Sequence, residues 1–414
     1  MSGLLRPVIA LLTAAAILLM GNGLLGVLLP IRADLEGFSR LEIGIMGSAY
    51  YTGLMAGCLL APLIIARVGY IRAFVAFTAS ATITPLLHAI WPDPYAWPAL
   101  RALNGLCFAG LFMGIESWLS ASAAPGTRGR VLAVYTVLNL TVVTAGMQML
   151  GLIEIKGFQL FSLVAILYSL AAVPVALAPA SAPSLPKTAK LRLAWLMSVS
   201  PAAVLGCFFT GMANSGFWSL APLYAKGAGL SVPAVATFVT IAVLGGAASQ
   251  WPAGYLSDRF GRRGLLTFVG AGAAVAGLCL HLASQGDVGI IFALAALYGA
   301  MAFPVYPLCV AHANDLVRKK RAIEVSSGLL LMFSIGAMIG PIAASFLMSM
   351  LGHGALFLHS ALAHGLIAAV MLVRVQLRPK PPTKRSEEFV VVPRTTPAVF
   401  ELDPRAEPTA PEVR

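Results

Sequence analysis

Charge is scarce in this chain. Asp, Glu, Lys and Arg make up 11% of its 414 residues, 59% are hydrophobic, and the mean hydropathy is +0.86. A soluble domain carries about a quarter charged residues and about half apolar ones, so this composition cannot build a water-facing surface. Other shortages narrow the chemistry. The five cysteines (Cys58, Cys107, Cys207, Cys279, Cys309) all fall inside apolar runs, which fits packed thiols rather than disulfides or a metal cage. Neither the pair His359 and His364 nor His88 or His312 has a third ligand at metal spacing, so no metal is expected. The sequence has no phosphate-binding glycine loop, no nucleophile elbow and no His-Glu-x-x-His. Those absences argue against ATP-driven transport and membrane enzymology, and the reading is a non-enzyme without a cofactor.

What the chain has in abundance is long apolar runs. Crossing about 30 Å of hydrocarbon takes about 20 apolar residues. Twelve such runs can be read, over 7–29, 41–63, 73–91, 98–120, 131–153, 160–178, 195–220, 233–256, 265–284, 288–312, 325–350 and 355–373. Backbone amides in lipid must be satisfied within their own segment, so each run predicts a helix. The fold class is an all-α integral membrane protein.

The formal net charge of +12 marks topology, not a nucleic-acid partner. If the N-terminus is cytoplasmic, only Arg32, Arg40, Arg101, Lys156 and Lys226 of the 28 Lys and Arg fall at the outer side. The positive-inside rule therefore predicts a multi-pass protein with both termini cytoplasmic and basic loops near anionic lipid.

A proline- and alanine-rich basic stretch, residues 179–194, divides six helices from six. The predicted organisation is a six-helix bundle over 1–178, this cytoplasmic linker, a second bundle over 195–374, and a disordered cytoplasmic tail over 375–414. The halves resemble each other. At an offset of 192, Asn22, Pro30, Ser39, Gly53, Arg67 and Gly69 match Asn214, Pro222, Ser231, Gly245, Arg259 and Gly261. At an offset of 194, Gly105 matches Gly299 and Gly146 matches Gly340. Such duplication is common in transporters, with the solute site where the repeats meet.

The charged stretch "GYLSDRFGRRG", Gly254–Gly264, lies between the eighth and ninth runs. By physics alone it is a tight, topogenic cytoplasmic turn. It also resembles the G-x-x-x-D-R-x-G-R-R loop of the major facilitator superfamily. "RALNG" (Arg101–Gly105) is similar to that family's R-x-x-Q-G pattern, and "GAMIGP" (Gly336–Pro341) to its G-x-x-x-G-P pattern. "GIESWLS" is similar to the YcaD-like bacterial branch. The resemblance implies twelve helices in two pseudo-repeated six-helix bundles, with helices one, four, seven and ten around a central cavity. It also implies a gating role for Gly254, Asp258, Arg259, Gly261 and Arg262. The first-half copy, "PLIIARVGYIR", keeps Arg67 and Gly69 but has Pro62 for the glycine and Ala66 for the aspartate.

Intramembrane polar groups are expensive and usually face a cavity or a partner. Glu116 is the candidate proton carrier; the alternative is a structural hydrogen bond to Ser120, Arg128 or Arg130. Arg101 is fifteen residues earlier, about 22 Å away along the helix. It either serves an anionic group or the proton site, or snorkels to the outer surface. Asn22 and Asn214 are candidate cavity amides or interhelical hydrogen bonders. Gln148, Trp218, Tyr298 and Tyr306 are further candidates for the cavity wall. The reading is a monomeric secondary transporter of a small solute in the bacterial inner membrane, working by alternating access with proton coupling and with efflux favoured. The alternatives are an uptake symporter and a non-transporting sensor or assembly partner.

Overall fold

The computed structural model describes residues 2–123, 127–177, 192–284, 286–317, 321–377, 389–391 and 393–402. Among these residues there are helices and no strand. The first half contains α1 (Ser2–Leu35), α2 (Arg40–Val68), α3 (Tyr70–Ile90), α4 (Ala96–Ser122), α5 (Arg128–Gln148) and α6 (Gln159–Ala176). The second contains α7 (Leu193–Val199), α8 (Pro201–Gly227), α9 (Val232–Phe260), α10 (Arg262–Leu282), α11 (Val288–Ala302), α12 (Val305–Asn314), α13 (Ala322–Leu351) and α14 (Ala355–Leu377). Eleven spans, counting α11 and α12 together, are long and apolar enough to cross a membrane, and α7 with α8 makes a twelfth broken one.

Helix ends follow local chemistry. Ser39 caps α2 in a reciprocal box: its backbone N–H donates to Glu42 Oε2 at 2.7 Å, and the Glu42 N–H donates to Ser39 Oγ at 3.3 Å. Asp287 caps α11 by accepting from the N–H groups of Gly289 and Ile290. One glycine each joins α2 to α3 and α9 to α10. Gly69 has φ 84° and ψ 163°, and Gly261 has φ 92° and ψ 136°, a region that a side chain all but forbids.

The twelve apolar runs coincide with the twelve spans, with two refinements. The seventh run breaks at Ser200–Pro201, where α7 and α8 meet at a bend of 112°. Proline lacks the N–H that a continuing helix needs and disfavours helical backbone in the residue before it. The tenth run is interrupted at Phe303–Pro304, between α11 and α12.

Packing repeats between the halves. α1 packs on α5 and α6, as α8 packs on α13 and α14; α2 packs on α4, as α9 packs on α11. Close approach uses equivalent glycines. A Cβ on Gly53 would collide with the Ala102 carbonyl and one on Gly105 with the Tyr50 carbonyl; Gly245 and Gly299 meet the Ala296 and Ala242 carbonyls in the same way. Small residues let helix backbones touch where lipid gives no hydrophobic drive for association.

Part of the tail departs from the disorder expected of 375–414, while residues 378–388, 392 and 403–414 lie outside the described residues. α14 runs on to Leu377, and Pro397–Leu402 forms a 3-10 turn packed on α4, α5 and α13. Thr396, Val399, Phe400 and Leu402 are at most 1% exposed. Proline and charge dominate the average composition of the tail, but this stretch carries Phe389, Val390, Val391, Val399, Phe400 and Leu402, and an apolar cleft gives those side chains a place to be buried. Most of the linker expected at 179–194 lies outside the described residues.

Candidate functional site

Two faces of the bundle differ. One carries Arg67, Arg128, Arg130, Arg192, Arg259, Arg262 and Arg263 and is here called the basic face. At the opposite face the two halves are joined. Lys226 Nζ, at the end of α8, lies 2.6 Å from Asp34 Oδ2, at the end of α1. Arg40 donates to the Met348 carbonyl, and Gln148 Nε2 donates to Thr240 Oγ1 at 2.9 Å. Gly44 and Gly47 of α2 press on Ser345, Pro341 and Ser219. Gln148 is thus a tie between α5 and α9.

Arg101 stays inside. Its guanidinium lies 4.3 Å over the Tyr50 ring, and Nη1 donates to Asn104 Oδ1 at 3.1 Å, one turn deeper into α4. Asn104 Nδ2 donates to Thr84 Oγ1 at 3.1 Å, and His88 Nδ1 sits 2.6 Å from the Thr84 carbonyl. Asn22 lies beside the Tyr50 hydroxyl. The first-half amide and cation therefore share one polar chain across α1, α2, α3 and α4, which does not reach Glu116.

Glu116 is fully buried on α4. Its carboxylate does not meet Ser120, Arg128 or Arg130, the structural partners considered from sequence. It accepts hydrogen bonds from the Tyr135 hydroxyl of α5, at 3.4 Å, and from the hydroxyls of Thr395 and Thr396. The preceding residue, Arg394, places its guanidinium 5.7 Å from the Tyr306 ring centre and 5.4 Å from that of Phe333. The two rings meet edge to face at 5.1 Å. Tyr306 brings an uncommitted polar end, because its buried hydroxyl has no hydrogen-bond partner among the described residues. Glu116 and Tyr306, one from each half, are therefore brought to the same cleft, with the tail between α4, α5 and α13.

The remaining candidates divide. Asn214 is 1% exposed and neither atom of its amide is hydrogen-bonded among the described residues. Trp218 stacks on Phe303 with ring centres 6.2 Å apart. Tyr298 is committed elsewhere, its hydroxyl 2.6 Å from Ser360 Oγ of α14.

In the loop of the basic face, Arg262 carries the buried charge. Its Nε lies 2.7 Å from Asp315 Oδ2, just past α12, and its Nη2 lies 3.5 Å from Asp258 Oδ1. Arg259 is exposed, on the Tyr255 hydroxyl and near the Phe260 ring. The Phe389 ring sits on Gly254, and its N–H donates to Asp258 Oδ2 at 3.4 Å. In the first-half turn Arg67 and Gly69 are both exposed.

Sequence reasoning missed Asp34, Lys226, Asp315 and the Arg394–Thr396 stretch. Asp34 and Lys226 could have been found, since they are separated by the same 192 residues that pair Asn22 with Asn214.

Comparison with known proteins agrees with this architecture. The Major Facilitator Superfamily model matches residues 11–287 and 203–404. The MFS-type transporter YcaD of Escherichia coli O7:K1 (strain IAI39) is 27% identical over 394 residues, covering 92% of this chain and 99% of YcaD. YcaD of Shigella flexneri serotype 5b aligns with the same identity and coverage. In fold, the crystal structure of the nucleoside transporter NupG superposes with a TM-score of 0.71 at 13% identity, covering 91% of this chain and all of NupG. An inward-facing, unoccupied bacterial homologue of the human lysosomal transporter Spinster gives 0.68 at 13% identity, covering 98% of each chain.

Proposed function

Because the chain belongs to the Major Facilitator Superfamily and is a membrane transporter, we propose that it moves a small solute across the bacterial inner membrane by alternating access, with Glu116 carrying a coupled proton. The observation that carries the reading is the Glu116 carboxylate. It is buried in the cleft between the halves, and only one of its hydrogen bonds, the long one from Tyr135, comes from the transmembrane helices. An ion placed there costs about 2.5–3.5 kcal/mol on insertion scales, so it must be offset by donors or by a proton. That makes its charge state responsive to whatever enters the cleft.

The two six-helix units, 1–178 and 195–374, would rock about this site, with the basic face and both termini in the cytoplasm. The ties at Asp34–Lys226 and Gln148–Thr240 hold the opposite face shut, so the cleft here opens toward the basic side. Asn22 and Asn214 flank the route, Tyr306 belongs to the binding wall, and the Asp258–Arg262–Asp315 group latches the basic face when the cycle reverses. Export is favoured over uptake because few fixed charges line the cleft, which suits an amphiphilic solute. A non-transporting sensor would hold its tail out for a partner; this tail turns into the chain's own cleft.

The test is solute-driven pH change in proteoliposomes. Glu116→Gln is expected to leave solute binding measurable and to abolish proton movement. Proton coupling that is unchanged in that variant overturns the assignment.

A further inference from the structure

The tail is an ordered occupant of the cleft, and its contacts report what the cleft accepts. Three of them matter. A planar cation, the Arg394 guanidinium, lies within 6 Å of two ring centres, those of Tyr306 and Phe333, the geometry of a cation–π seat. The next two residues give hydroxyl donors to the Glu116 carboxylate. Beyond them, Val399, Phe400 and Leu402 fill apolar space against α4, α5 and α13.

Each contact satisfies a need the helices leave open. A buried carboxylate without donors costs several kcal/mol, and the helices offer it one bond at 3.4 Å. The rings of Tyr306 and Phe333 present faces that only a cation or another ring can use well. The Tyr306 hydroxyl remains open beside them, without a partner among the described residues. The site is therefore built from an aromatic cation seat contributed by the second half and a donor-seeking carboxylate contributed by the first.

We infer that the segment Phe389–Leu402 is an internal competitor of the solute, and that the solute is an organic monocation with a planar cationic head and a hydroxyl or amide donor. This rests on the transporter reading above, since it names the ligand class of that same cleft. The segment resembles such a solute: a guanidinium, a donor one residue away and an apolar body. It is also tethered. The stretch between Leu377 and Phe389 spans at most about 40 Å when extended, and so short a connection gives a local concentration on the order of millimolar. A segment binding at about 0.1 mM as a free peptide would then weaken solute binding about tenfold. Release of the tail also frees Gly254 and Asp258, which Phe389 covers, so solute arrival and unblocking of the basic face become one event.

The test uses full-length protein in lipid nanodiscs, titrated with 4-hydroxyphenylguanidine and with its uncharged isostere 4-hydroxyphenylurea. The triple variant Arg394→Ala, Thr395→Ala, Thr396→Ala is expected to bind the guanidine about tenfold more tightly than the unmodified chain. Arg394→Lys, which keeps the charge but not the planar guanidinium, is expected to fall between the unmodified chain and the triple variant. Adding Glu116→Gln to the triple variant is expected to remove most of the gain, and the urea is expected not to compete. Equal guanidine binding by the unmodified chain and the triple variant overturns the competitor. Equal binding of urea and guanidine overturns the cationic class. Transport is read separately in proteoliposomes: a tail-competed guanidine site in a chain that moves nothing would refute the transporter reading alone, and transport with tail-independent binding would refute this inference alone.

Discussion

Removing the ties at the closed face should change which face is open, by an amount the contacts allow to be estimated. The Asp34–Lys226 pair joins α1 to α8 with side chains 35% and 33% exposed, and pairs with that much solvent contact contribute about 0.5–1 kcal/mol. The Gln148–Thr240 bond is neutral and exposed, and such a bond contributes about 0.5 kcal/mol net. Replacing both, with Asp34→Asn and Gln148→Ala, removes about 1–1.5 kcal/mol of preference for the state described here. That is about a five- to tenfold change in the ratio of states. A minor open state at about 5%, within the ordinary range for a second conformer, would rise to about 20–35%. The assay is double electron–electron resonance between spin labels at Tyr95 and Ile290, exposed positions at equivalent helix starts on that face, after replacing the five native cysteines. A second, longer distance should grow in the double variant. Asp34→Asn alone should give a smaller change, which about 1 M salt should largely reproduce in the unmodified pair by screening. The charge exchange Asp34→Lys with Lys226→Asp should restore the starting distribution. An unchanged distribution in the double variant would refute the idea that these contacts hold the face closed.

Three further outcomes follow from the packing and the charges. Gly105→Ala pushes a methyl onto the Tyr50 carbonyl and should cost about 2–3 kcal/mol, while Gly114→Ala, whose nearest neighbour is Phe74 Cδ2 at 3.7 Å, should be tolerated; equal thermal midpoints would contradict the close-packed seam. Asp315→Asn takes the 2.7 Å carboxylate from a guanidinium only 3% exposed and should cost about 3 kcal/mol, whereas Arg259→Ala, at the surface, should stay within about 0.5 kcal/mol; both are read from thermal unfolding in the same detergent. Tail docking should weaken as pH rises. Burial pushes the Glu401 carboxyl up from its ordinary range, with Arg128 of α5 opposing and the Tyr70 hydroxyl nearby. The docked form then favours the protonated acid, so docking is strongest below the free-carboxyl value of about 4.3 and declines as pH passes through the raised one. Measured as protease release of the tail in a Glu116→Gln background, that slope should vanish in Glu401→Gln.

The spans were legible because hydropathy over a window of about 20 residues reports a property the bilayer itself imposes. The seams were legible because the glycines at 53, 105, 245 and 299 obey the duplication. Sequence was less informative where a partner is far away in the chain. It pointed to Asp258, Arg259 and Arg262 together in the charged loop but did not single out Arg262 as the holder of the buried pair, because its partner Asp315 lies in another part of the chain, just past α12. Averaging composition over 375–414 hid a fourteen-residue stretch with enough valine and phenylalanine to enter an apolar cleft. Glu116 was singled out for its burial in the membrane, but its hydroxyl partners, almost 280 positions later, carry no local signal at all.

The Asp34–Lys226 contact joins residues that occupy the same place in the two repeats. Where two repeats are related by a two-fold axis, a residue near the axis meets its own counterpart. In a duplication still fresh, both counterparts are identical: two aspartates or two lysines would repel, so no such tie could exist. An attractive pair at that spot requires the copies to have drifted apart into opposite charges. This tie at the closed face thus rests on a difference between the two repeats, where the glycine seams rest on residues that the repeats share.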